Sequence, residues 1–158
     1  MGRSPRALVW FNRLLLAAAT FIMTMIAVRT LWDPVAATRP VGIVLNSPTA
    51  ITVARVGFRG FPLGLAVALL GSLNSTERLL SGLYLLLAVM GAAAIARIQG
   101  IVLDGPTPYN LGLLRPEILL CVLSVVGIVL ERGQRHAPRN GADHRASLQS
   151  STAVGGGQ

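Results

Sequence analysis

The sequence has no lysine, one cysteine in 158 residues and a charged fraction of only 13%. Each scarcity closes something off. Without lysine there is no glycine-rich phosphate-cradling loop ending in that residue. With Cys121 alone no intrachain disulfide can form, and its place inside an apolar run suits a small packing residue. Charge this sparse, beside 53% hydrophobic residues and a mean hydropathy of +0.62, is too low for a soluble domain of this length. The chain belongs in lipid. No histidine–acid pair, Ser-His-Asp set or cysteine pair falls within the apolar segments, so no catalytic residue is assigned and no enzyme is expected.

The charge that is present is one-sided. All 14 basic residues are arginine, and against six acids they give a formal charge of +8. These arginines flank apolar runs or sit in a polar tail, and no recognition motif accompanies them, so nucleic acid is not an expected partner. The bilayer is.

The longest apolar stretch, Leu79 to Gly105, holds about 25 residues where roughly 20 cross a bilayer as a helix. Arg97 interrupts it about 18 residues in, near the far edge of a hydrocarbon core roughly 30 Å thick. Before it, Arg3, Arg6 and Arg13 precede the run Leu14 to Val28, a layout shared by secretory signals and first membrane helices. Trp10 and Trp32 bracket about 22 residues, the spacing of interfacial anchors, which favours a retained helix over a cleaved signal. Gly2 lacks a myristoylation context, since Arg6 stands where a hydroxyl is wanted.

Asp33 to Thr52 reads as a proline-containing loop. The second span follows with Arg55, Arg59 and Pro62, the last a site for a kink. Asn74 is placed to cap the third helix, with Glu77 reaching back as in a capping box. Asp104 to Leu111 forms a turn, and Pro116 falls in the first turn of a last span beginning near Gly112. The spans are expected at about 8–31, 53–73, 79–103 and 112–130. The expected fold is all-α, a four-helix up-and-down transmembrane bundle over residues 1–131 with a disordered polar tail at 132–158. His136 and His144 in that tail lack metal-ligand spacing, so no metal and no cofactor is expected.

Two rows of small residues recur at four-residue spacing: Gly60, Gly64, Ala68 and Ser72 in the second span, and Ala88, Ala92, Ala96 and Gly100 in the third. They are expected to serve helix packing, within one chain or between chains of a homo-oligomer.

Alternating spans place Arg29, Arg55, Arg59, Arg97, Asp104, Arg115 and Glu117 at one membrane face. Arg59 lies about 21 Å along its helix counted back from Leu73, and Glu117 about 20 Å counted back from Leu130. The matched heights predict that Arg59 and Glu117 pair across helices, with Arg97 close by and Asp104 nearer the surface. The cluster reads either as polar glue that fixes helix order or as a site for an anionic lipid headgroup or small anion. The termini and the Asn74 loop hold Arg3, Arg6, Arg13, Arg78, Arg132, Arg135, Arg139 and Arg145 against six arginines on the opposite side, a bias that puts both termini in the cytoplasm.

Several of these features together resemble the bacterial four-helix membrane family known as domain of unknown function 4345. They are Arg55-Val56-Gly57-Phe58-Arg59-Gly60-Phe61-Pro62-Leu63-Gly64, Ala96-Arg97-Ile98 with Asp104-Gly105, and the acidic start of the last span at Glu117. The likeness covers roughly Leu8 to Leu130, with Pro62 a departure from the pattern. It implies four helices in a bacterial membrane and carries no activity with it. Two functions therefore compete: a non-enzymatic packing or interaction protein, and a binder or carrier of an anionic lipid or small anion.

Overall fold

In the computed structural model, residues 5–39 and 42–135 are described, and every regular element among them is helical. The tail beyond 135 lies outside the described residues. Helix α1 (Pro5–Trp32) runs through the first apolar stretch without a break. Its threonines would be misfits in lipid, but Thr20, Thr24 and Thr30 each donate a hydroxyl hydrogen bond to the carbonyl four residues back, at 2.8–2.9 Å. Trp10 and Trp32 stand exposed near its two ends, as anchors should.

The segment expected to be a connecting loop, with room for a short interfacial turn, is more ordered than its prolines suggest. Asp33 caps a short helix α2 (Pro34–Thr38), its carboxylate accepting from the Val35 and Ala36 N–H groups at 2.9 Å. Ser47 then caps α3 (Pro48–Arg55), so the second span starts at Pro48 and not at 53. Proline at the first helical position, preceded by a hydroxyl or carboxylate cap, is a start signal that proline counting reads as a break.

At Val56–Gly60 the second span loosens into a π turn before continuing as α4 (Phe61–Ser72). Its cause is Pro62. Lacking an N–H, Pro62 cannot donate to the Phe58 carbonyl, and the Phe61 N–H bonds the Val56 carbonyl five residues back. The irregularity expected at Pro62 is thus a widened turn placed ahead of the proline.

Ser75, and not Asn74, caps α5 (Thr76–Asp104), through a 3.2 Å bond from the Glu77 N–H. Gly105 ends α5 at φ +92°, a conformation that L side chains rarely adopt. Thr107 then accepts from the Asn110 N–H at 3.1 Å and opens α6 (Pro108–Arg135). Pro116 accordingly lies inside α6 and not in its first turn, and residues 132–135, assigned to the tail on composition, continue the helix.

Four helices, α1, α3–α4, α5 and α6, are long and apolar enough to cross a membrane. The tightest partnerships are α5 with α6 and α1 with α4. Leu79, Leu83, Leu86 and Met90 recur at helical spacing along one face of α5 and pack with Leu15, Leu16 and Ala19 of α1, Leu69 of α4 and Ile128 of α6. This core fills the half of the bundle nearer the α4–α5 turn.

Of the two small-residue rows, only Ser72 at the end of the first marks a close approach. A Cβ built on Gly60 or Gly64 meets nothing within 4 Å, Ala68, Ala92 and Ala96 are exposed, and the nearest atom to one on Gly100 is Asp104 Oδ2 at 4.0 Å. The crowded glycines are Gly82, whose Cβ would fall 2.7 Å from Ser72 Cβ, and Gly127, whose Cβ would fall 2.6 Å from Asn12 Oδ1. Spacing identifies a smooth face but not the neighbour it meets: the row of α4 reaches α5 at Ser72, against Gly82 and not against the row Ala88, Ala92, Ala96 and Gly100.

Candidate functional site

The α5–α6 hairpin decides which charges meet. Its link is only residues 105–107, so residues at similar distances from it lie side by side. Arg97 is seven residues before the end of α5 and Glu117 nine after the start of α6, heights of about 10 and 13 Å below the turn. There the guanidinium forks onto the carboxylate. Arg97 Nε donates to both Glu117 oxygens, at 3.0 and 2.9 Å, and Nη2 donates to Oε1 at 2.7 Å. Nη1 donates at 3.4 Å to Oδ1 of Asn110, which lies seven residues before Glu117 on the same face of α6. The side chains are 23% and 13% exposed, so the pair is largely removed from its surroundings. Bidentate charge-assisted geometry is what makes two charges tolerable at such depth.

Arg59, the expected partner of Glu117, stands apart. It is exposed on the π turn, which packs on α1, α3 and α4, and it has no hydrogen bond or ion pair among the described residues. Matching heights across the bundle was the wrong criterion, because α5 and not the second span lies against α6. Asp104 is exposed at the end of α5 and makes no ion pair among the described residues. Of the four expected site residues, the structure joins Arg97 and Glu117 and leaves Arg59 and Asp104 outside.

A second polar contact, missed in the sequence, lies at the opposite end of the bundle. Asn12 of α1 is fully enclosed and Glu131 of α6 is 6% exposed, and the Asn12 amide donates to Glu131 Oε2 at 3.4 Å. Gly127 makes room for it, one turn before Glu131. Asn12 Oδ1 and Arg13 Nε are enclosed without a hydrogen-bond partner among the described residues. Nearby, the Arg132 guanidinium lies 5.4 Å from the Tyr84 ring centroid, a cation–π contact joining α6 to α5. The available signal was an asparagine inside Trp10-Phe11-Asn12-Arg13-Leu14, a polar side chain that an apolar helix does not carry without a partner. No group of three or more His, Cys, Asp or Glu side chains suited to a metal occurs among the described residues.

Neither a curated protein nor a solved structure matches this chain. A family model described as Domain of unknown function (DUF4345) matches residues 11–128, from the second turn of α1 to within α6, and so takes in the Arg97–Glu117 pair. With 118 of the 158 residues inside that match, the chain belongs to the family described as Domain of unknown function (DUF4345).

Proposed function

We propose that this chain is a non-enzymatic multi-pass protein of a bacterial cell membrane, with both termini cytoplasmic, that works by packing against other membrane proteins or further copies of itself. The observation that carries this reading is the closure of the Arg97–Glu117 pair. All three donating guanidinium nitrogens are engaged, by Glu117 and Asn110, so the deepest charges brace α5 against α6 and are not held ready for a ligand. A carboxylate held in this way is a poor acid or base, because proton transfer would first have to break the fork. For the same reason the anion-site reading does not centre on Arg97.

Chemical cross-linking of intact membranes, followed by mass measurement of the full chain, tests it. Discrete cross-linked species are expected, and they should persist in an Arg97→Met/Glu117→Leu double variant that keeps its helicity. A chain that stays un-cross-linked at every reagent concentration would sink the reading.

A further inference from the structure

Between α1, the second span and α5 lies an open apolar groove of about 480 Å³, bordered by Met23, Gly57, Gly60, Gly64, Leu85 and Val89. Its floor is the π turn and the smooth face of α4, where added Cβ atoms would meet nothing. Beside Gly60 stands Arg59, thirteen residues before the end of α4, thus about 20 Å from that end and roughly 10 Å beneath the opposite rim of a 30 Å hydrocarbon core. An exposed guanidinium at this depth without a protein partner is costly unless an anion is brought to it. Arg29 lies six residues beyond Met23 and Arg55 five before Gly60, so both stand about 8 Å nearer that rim. Both are exposed, and neither has a hydrogen bond or ion pair among the described residues. The acids of this side do not offset them: Asp33 caps α2, Asp104 makes no ion pair among the described residues, and Glu117 is taken by Arg97.

A positive rim above an apolar trough matches one kind of molecule in a bilayer. We infer that the groove seats an anionic phospholipid, its phosphate drawn down to Arg59 beneath Arg29 and Arg55, and one acyl chain laid along Gly60 and Gly64 toward Ala68. Proline at 62 is integral to this. By forcing the π turn it keeps Gly57 and Gly60 open to the trough. The residues involved are separate from the Arg97–Glu117 brace, so this inference does not rest on that pair.

The test is native mass spectrometry of the full chain, extracted in mild detergent from vesicles of equal parts phosphatidylglycerol and phosphatidylcholine. Wild type should retain phosphatidylglycerol in preference. Arg59→Gln should reduce that preference roughly fivefold, the worth of one basic residue at an anionic surface. Arg115→Gln, on the same side but on α6, should leave it unchanged. Gly64→Leu fills the trough where nothing stands within 4 Å, so it should fold and retain less of both lipids. Equal retention of the two lipids by wild type would overturn the inference, as would equal effects of the two arginine variants, which would mean a diffuse field. A dimer of the chain abolished by Gly64→Leu would also overturn it and give the groove to a second copy.

Discussion

Replacing Glu117 by glutamine keeps the size of the side chain and removes its charge, leaving the Arg97 guanidinium facing neutral groups in a site where it is 23% exposed. Two unit charges about 4 Å apart attract by about 4 kcal/mol at an effective dielectric of 20. Desolvation of both partners and the reach of arginine toward headgroups offset part of that, so the single variant should cost about 2 kcal/mol. Arg97→Met should cost a similar amount, since it strands the carboxylate instead. Removing both charges at once, as Arg97→Met/Glu117→Gln, should cost only about 0–1 kcal/mol, because no ion is then left unpaired. The coupling energy of the cycle is therefore about 3–4 kcal/mol. Reversible unfolding in mixed micelles, titrated with a denaturing detergent and followed by far-ultraviolet circular dichroism, measures all four corners. Arg59→Gln in the same assay should lie within about 0.5 kcal/mol of wild type, as exposed substitutions do. A coupling below about 0.5 kcal/mol for Arg97 and Glu117 would refute the brace. So would a cost for Arg59→Gln equal to that of Glu117→Gln.

Gly82→Ala pushes a methyl to within 2.7 Å of Ser72 Cβ and 2.9 Å of Leu16 Cδ1. It should destabilise by about 1–3 kcal/mol in that unfolding assay, whereas Gly64→Ala should change stability by less than about 0.5 kcal/mol. Gly127→Ala forces its methyl against Asn12 Oδ1. Its cost should shrink when Asn12 is also replaced by alanine, and a strictly additive pair would show that Asn12 and Gly127 do not meet. In a Cys121→Ala background, Ser75→Cys and Thr107→Cys should react with a membrane-impermeant maleimide from opposite sides of sealed vesicles. Labelling of both from one side would contradict four alternating spans.

The spans were legible because lipid admits so few backbone solutions: an apolar run of bilayer length has to be helical, and Trp10 and Trp32 mark the ends of the first one. Helix ends were harder to read. Pro48, Pro108 and Pro34 look like interruptions until Ser47, Thr107 and Asp33 are recognised as the caps before them. Arg97 and Glu117 were both picked out by their position in apolar sequence, but Glu117 was matched to Arg59 by height along the membrane normal. Height is a property of each helix alone, while contact depends on which helices are neighbours, and the three-residue link between α5 and α6 outweighs it. Asn12 and Glu131 escaped because each sits near the end of a span, where a polar residue looks like the start of a water-exposed segment.

The two polar contacts lie at opposite ends of the bundle, and the difference in where they act has a mechanical consequence. Arg97–Glu117 fastens α5 to α6 near their shared turn, and Asn12–Glu131 fastens α1 to α6 near the other membrane face. Helix α6 is therefore pinned at both heights, to a different neighbour each time. The second span has no such fastening among the hydrogen bonds and ion pairs described, and it meets α1 and α5 through apolar side chains and the crowded Ser72–Gly82 approach near its end. It is also the span that carries the π turn and the open groove. The second span is thus held to α1 and α5 by side-chain packing, whereas α6 is held by packing and by polar contacts at two heights.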